Sequence, residues 1–228
     1  MSGARSIIEF ARNIIQESGA AVKLDWHGHN DRGLALANSL TALQAGADRV
    51  HATLLGLGER TGNTALDQML INLRLMGVQT TGDFKKLRQA CDAVVAHCNA
   101  PLTVNYPALG RDAFRTSTGV HAAAVVKARK LNDHWLADRI YSSVPASWFG
   151  MEQKIDVGPM SGRANVEYWL DQNFPQMPAS QREVAVDSIL STAKAATTVL
   201  TDRQILSVIE ACCLQSVTKT NTIEEIVM

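Results

Sequence analysis

Two histidines one residue apart, His27 and His29, close a run in which polar and apolar residues alternate. In an extended segment alternate side chains point the same way, so the two imidazoles share a face, with Cα atoms about 6.6 Å apart. Imidazoles so placed can hold one divalent cation. The same parity puts Lys23 and Asp25 on the histidine face and Val22, Leu24 and Trp26 on the other. A strand whose polar face leads to two histidines at its C-terminal end suits a barrel interior below an active site. By itself, a His-x-His pair is more often two exposed or hydrogen-bonded histidines, so the neighbouring residues decide.

Those neighbours form His27-Gly28-His29-Asn30-Asp31, followed by Gly56-Leu57-Gly58-Glu59-Arg60-Thr61-Gly62-Asn63 at the end of the next strand-like run. Adjacent parallel strands bring their C-terminal ends together, which predicts the second loop beside the histidines. Its glycines let backbone approach a ligand closely. The spacing is not G-x-G-x-x-G, so a dinucleotide fingerprint is not supported. Asn63 precedes a helical run and by itself reads as an N-cap.

The elements that must position these residues alternate. Residues 4–17 read as an amphipathic helix with Ile7, Ile8, Ala11, Ile14 and Ile15 on one stripe, ended by Ser18-Gly19. AAVKLDWHGHND reads as a strand, GLALANSLTALQAG as a helix closed by Gly46, and ADRVHATLLGLGERTGN as a second strand running into the glycine-rich loop. Residues 64–76 are predicted helical, with Leu66, Met69, Leu70 and Leu73 on the apolar face. This order predicts parallel strands joined by crossover helices. It stops near Gly77. Beyond it the pattern predicts helices near 83–98, 118–130, 163–172, 180–198 and 201–215, and no strand. Two strands cannot make an independent sheet covered on both faces, so an incomplete α/β piece is expected.

Composition narrows the classes. The 228 residues carry 22 basic and 22 acidic side chains, a net charge of zero and 46% hydrophobic residues. Without a Lys/Arg block, general nucleic-acid or membrane-surface binding is disfavoured. No apolar run approaches the roughly 18 residues that span a bilayer. MSGARSIIEF lacks the apolar core of a secretory signal, and Glu9 speaks against a transit peptide, so a cytoplasmic protein is expected. Cys91, Cys98, Cys212 and Cys213 form no C-x-x-C and read as buried free thiols. Of the other histidines, His51 reads as a core or near-site residue. His97 sits late in a helix where a positive ring suits the dipole, and His134 falls in a loop without a role.

HGHNDRGLALANSLTALQAGADRVHATLLGLGERTGN resembles the end of the barrel in the 2-isopropylmalate synthase, homocitrate synthase and citramalate synthase family, in both residues and spacing. Those metal-dependent enzymes condense acetyl-CoA with a 2-keto acid. The related lyases that cleave hydroxymethylglutaryl-CoA resemble the first half but lack the G-E-R-x-G-N form. Ser117-Thr118-Gly119-Val120-His121 with Lys127, then Tyr141-Ser142-Ser143-Val144-Pro145, then Ser161-Gly162-Arg163 are similar to further segments of that family. The stretch 165–228 is compatible with its helical tail but carries no diagnostic motif.

The resemblance implies the last two βα units of a (β/α)8 TIM barrel followed by a mostly helical C-terminal region, with no complete barrel in this chain. Residues 1–77 would be the C-terminal part of the catalytic barrel, and 78–228 a helical linker, lid and dimerisation region. His27 and His29 would be metal ligands, with Asn63 a further ligand or close neighbour. The ion would be Zn²⁺, Mn²⁺ or Mg²⁺. Glu59, with Gly58 and Gly62, would help form the pocket for acetyl-CoA, the co-substrate, and the keto acid. His121 and Tyr141 would reach the reacting centre from the neighbouring subunit of a homodimer. Without the resemblance, both read as structural residues.

The expected reaction is 2-isopropylmalate synthesis from 2-ketoisovalerate, as in leucine biosynthesis, with homocitrate or citramalate synthesis as alternatives. A metal-dependent carbon–carbon lyase, a non-catalytic lid and dimerisation module, and one half of a split enzyme also stay open. The family's arginine-aspartate pair on its first strand has no counterpart here, nor has its leucine-sensing domain. The sequence is therefore expected to be a truncated reading frame, a designed fragment or one half of an enzyme whose partner chain supplies the missing strands. Gly28 stands where relatives often carry cysteine.

Overall fold

Trp26 and Leu24, the apolar side of the histidine strand, decide how the N-terminal segment packs. The structure is a computed structural model that describes residues 2–78 and 82–212. Helix α1 (Ser2–Ser18) buries Ala4 and Ile8, and Ile8 joins Ala42, Ala47, Leu24 and Trp26 in one cluster. The helix does not present the single stripe expected of it. Ile8 faces inward, while Ile7, Phe10 and Ile14 are exposed. Residues one or three apart in a helix sit about 100° or 300° around its axis, so Ile7 cannot share the direction of Ile8.

Strand β1 (Asp25–Trp26) pairs in parallel with β2 (Arg49–Val50), with Asp25 opposite Arg49, across helix α2 (Ala35–Gln44). Gly46, at φ 105°, turns the chain after α2. His51 separates β2 from β3 (Ala52–Thr53), which pairs in parallel with β4 (Thr64–Ala65). The helix expected from residue 64 therefore begins later, as α3 (Leu66–Leu75), because Thr64 and Ala65 join the ladder. Between β3 and β4, Leu55 is held at φ 57°, and its N–H donates to the buried Asp67 carboxylate at 2.8 Å.

The α/β alternation ends near residue 77, but the same compact unit continues through α4 (Phe84–His97), which buries Phe84 and Cys91. Asp83 caps that helix by accepting from the Lys85 N–H. The chain divides into two compact units between Thr103 and Gly110.

The second unit contains what the sequence pattern did not reveal. Strands β5 (Arg115–Thr116) and β6 (Lys154–Ile155) pair in parallel, although no strand was expected beyond 77. Two residues are too few to show alternation, so only the partner defines them. Around the pair stand α5 (Gly119–Lys130), α6 (His134–Ala137), α7 (Arg163–Asn173) and α8 (Ala179–Ala195), with helical backbone again over 202–212. The rest of the helix expected to 215 lies outside the described residues. Val157, Val166, Leu170, Val186, Ile189 and Ile205 form the main core, and Val125, Val126 and Ile155 a smaller one. His134 opens α6 rather than lying in a loop, because Asp133 caps its turn by accepting from the Leu136 N–H.

The described residues thus make a mixed α/β, mostly helical structure with short parallel strands and no closed barrel. No described helix is long and apolar enough to cross a membrane. Cys91 and Cys212 are buried free thiols, Cys98 is exposed against expectation, and Cys213 lies outside the described residues. Cys98 directly follows the last turn of α4, past the face that buries Cys91.

Candidate functional site

His27 and His29 follow β1, and strand parity operates as expected. Their rings meet edge to face with centroids 5.1 Å apart. His27 is exposed, His29 half-buried. On the same polar face the His27 ring lies 5.6 Å from that of His51, whose Nε2 is 3.3 Å from Asp25. Arg49 donates to the other oxygen of Asp25 at 2.8 Å and holds this carboxyl below its usual range. The parallel register explains His51: if Arg49 stands opposite Asp25, the residue two further on falls beside His27. Register was the missing signal.

The loop 56–63 does come to the histidines. His29 and Asn63 form an antiparallel bridge, and the Asn30 N–H donates to the Gly62 carbonyl at 3.0 Å. The glycines have a cause within the loop as well. A Cβ on Gly58 would stand 2.3 Å from the Asn63 amide nitrogen, and one on Gly62, at φ +82°, 2.2 Å from the Gly56 carbonyl oxygen. They make room for the loop itself.

Asn63 is not an N-cap, since Ala65 occupies that position of α3. Its amide donates to the Leu57 carbonyl at 3.2 Å, while its Oδ1 is buried without a partner. His29 Nδ1 is likewise buried and unpartnered. Buried polar atoms almost always find partners, so two such atoms on bridged residues leave lone pairs open to a water or a ligand. Glu59, 81% exposed, brings its Oε1 to 3.8 Å from His29 Nε2. The imidazole nitrogens and the amide oxygen suit a divalent cation in chemical type. Among the described residues, no three His, Cys, Asp or Glu side chains converge to hold one. The donors available are therefore His27, His29 and Asn63.

His121 and Tyr141 meet in the second unit. Their rings stack at 4.1 Å between centroids, tilted 26°, with His121 Nδ1 buried and unpartnered. His121 lies in the first turn of α5, which begins where two motifs of the sequence join. The Ser161 hydroxyl donates to the Ser117 carbonyl at 2.7 Å, and the Gly119 N–H donates to the Met160 carbonyl. Asn165, which the sequence reading did not single out, donates to the carbonyls of Ser117 and Asp156 and accepts from the Gly162 N–H. A Cβ on Gly119 would stand 2.8 Å from the Gly162 nitrogen. The two glycines let the starts of α5 and α7 touch.

Parts of the chain are similar to known proteins. Residues 1–94 match the HMGL-like family. The chain is 34% identical over 151 residues to a 2-isopropylmalate synthase of Buchnera aphidicola subsp. Diuraphis noxia, covering 64% of this chain and 28% of that protein. It is 38% identical over 149 residues to an (R)-citramalate synthase of Aquifex aeolicus, covering 64% of this chain and 26% of that protein. The chain thus spans less than a third of the length of these relatives. A solved structure of an HMG-CoA lyase from Acenitobacter baumannii, in complex with coenzyme A and 3-methylmalate, is 30% identical, with a TM-score of 0.36 over 41% of this chain and 31% of that one.

Proposed function

We propose a metal-dependent acyltransferase, supported by the match of residues 1–94 to the HMGL-like family and by the chain's partial similarity to 2-isopropylmalate and citramalate synthases. It joins acetyl-CoA to a 2-keto acid, with 2-ketoisovalerate the expected acceptor, and releases CoA. One observation carries this reading: His29 Nδ1 and Asn63 Oδ1 are buried without partners on residues that bridge each other, with His27 alongside.

His27, His29 and Asn63 would hold the divalent cation, which when bound supplies Lewis acidity toward the keto-acid carbonyl. Glu59, exposed and 3.8 Å from His29 Nε2, would help line the pocket for acetyl-CoA and the keto acid. Gly58 and Gly62 keep the loop thin where acetyl-CoA approaches. In the reaction the acetyl methyl group loses a proton, its carbon bonds to the keto carbon, and water cleaves the thioester. An imidazole is the side chain that exchanges protons near neutral pH, and His121 offers a free nitrogen for that exchange. Tyr141, stacked on it, orients the ring and presents an O–H to a developing oxyanion. Both would act in a homodimer, on the partner's barrel site.

The test is CoA release from acetyl-CoA by the purified chain, over a panel of 2-keto acids with and without Zn²⁺, Mn²⁺ or Mg²⁺. Metal-dependent release with one keto acid, abolished by His29→Ala, is expected. A second reading has one observation in its favour, the lack of a third His, Cys, Asp or Glu donor among the described residues. In it the chain is a lid and dimerisation module or half of a split enzyme, and a partner chain supplies the remaining ligands. Cation binding without CoA release would favour that reading.

A further inference from the structure

Arg60 is a non-glycine residue in the left-handed region, at φ 57°, between two glycines of the loop 56–63. An L side chain occupies that region at a cost and stays there only where its surroundings over-determine it. Here the surroundings are a fork. Arg60 Nε donates to Asp31 Oδ1 at 2.7 Å and Nη2 to Asp31 Oδ2 at 3.0 Å. Asp31 closes the His27–Asp31 segment, and Arg60 sits in the middle of the other loop. The pair therefore spans the same two loops as the His29–Asn63 bridge and the Asn30-to-Gly62 hydrogen bond.

Stability does not account for this pair. The two side chains are 56% and 50% exposed, and ion pairs so placed add little to folding. A bidentate fork fixes direction as well as distance, because the planar guanidinium must lie in the plane of the carboxylate. Two strained or left-handed positions, Arg60 and Gly62, then flank the one residue between them, and Asn63 follows at once. Asn63, whose Oδ1 is buried without a partner, is bridged to His29 through its backbone.

We propose that Arg60 and Asp31 form a clasp of positioning residues: it locks the two loops in register so that His29 and Asn63 present their unpartnered atoms to one divalent cation. The proposal rests on the cation site proposed above. Neither clasp residue touches the ion; they act through the backbone that carries its ligands. Outer partners that orient ligands typically change metal affinity by about 10- to 100-fold when removed.

The test titrates Co²⁺ alone into the full chain and reads its visible absorption bands, with amide hydrogen exchange measured on the metal-free protein. Arg60→Ala and Asp31→Ala are each expected to weaken Co²⁺ binding by about tenfold. The double variant should be no worse than either single one, and exchange of the Asn30 amide should speed up. The swap Asp31→Arg with Arg60→Asp should recover part of the affinity, since aspartate tolerates the left-handed backbone. Unchanged Co²⁺ affinity in both single variants, while His29→Ala loses it, would overturn the clasp and leave the cation site standing. No Co²⁺ binding by the unaltered chain would overturn the cation site, and with it the purpose assigned to the clasp.

Discussion

Each unit sets an asparagine where two segments meet, Asn165 fully buried and Asn63 half-buried, and they treat it in opposite ways. In the second unit Asn165 is fully buried, and its amide makes three hydrogen bonds to backbone groups of Ser117, Asp156 and Gly162. In the first, Asn63 donates once, to Leu57, and keeps its oxygen buried and idle beside His29. Both loops rely on glycines to let backbone approach: Gly119 against Gly162 in one, Gly58 and Gly62 against Asn63 and Gly56 in the other. The same device yields a saturated knot in one unit and an unsaturated pair in the other. A saturated polar network holds the fold, and an unsaturated one keeps atoms that a water or a ligand can still satisfy.

The largest effect that would sharpen this contrast is on stability. Asn165→Ala removes three buried hydrogen bonds, leaving the Gly162 N–H without its acceptor and the Ser117 and Asp156 carbonyls with Ser161 alone, and should cost about 3 kcal/mol in denaturant unfolding. Asn63→Ala breaks a single weak bond and should cost about 1 kcal/mol or less, while removing Co²⁺ affinity. Equal losses from the two variants would break the comparison. Next come the glycines. Gly62→Ala combines a left-handed backbone with a clash on the Gly56 carbonyl, and Gly119→Ala meets the Gly162 backbone. Each should cost about 2 kcal/mol, by the same unfolding measurement. Only Gly62→Ala should also disturb Co²⁺ binding.

Each unit also sets an Arg–Asp pair on its short parallel strands. Arg115 makes a bidentate contact with Asp156, at 2.8 Å for both bonds, and the side chains are 30% and 18% exposed. Arg49 reaches Asp25 through one bond and is 64% exposed. Arg115→Ala should therefore cost about 1 kcal/mol, whereas Arg49→Ala should leave the unfolding midpoint unchanged.

What could be read in advance follows the length of each signal. Helices such as α4 and α5 were legible because caps and apolar spacing repeat over a dozen residues or so. The pairs β3–β4 and β5–β6 were not, since two-residue strands carry no period and exist only through their partners. Thr64 and Ala65 went to a strand for that reason, and Asn63 lost its capping role with them. Among the candidate residues, parity put His27 and His29 on one face, and the family resemblance alone pointed to Asn63, Glu59, His121 and Tyr141. His51 needed the register of β1 against β2, and the Arg60–Asp31 fork depends on a left-handed backbone that no spacing rule foretells. Asn165 was hidden because a buried asparagine within α7 looks in sequence like any other helical polar residue.

The smallest effect tests whether the first unit is more than a platform for two loops. Cys91 and Cys98 both belong to the α4 region, yet Cys91 is 1% exposed and Cys98 is open to solvent. Burial, and then the charge of Asp67, pushes the Cys91 thiol up to about 12. Because the thiolate is the reactive form, iodoacetamide near pH 8 should label Cys98 and spare Cys91, as read by peptide mass spectrometry. The raised value also sets a sign. The folded state holds this proton more tightly than the unfolded one, so the contribution to stability is whole below the ordinary value of 9.0 and is lost as pH rises from there toward 12. Cys91→Ala should lessen that alkaline loss without altering Co²⁺ binding. Labelling of Cys91 as fast as Cys98 would mean that α4 does not close over a core. The unpartnered atoms of His29 and Asn63 would then lie in a segment too loose to hold them for a ligand.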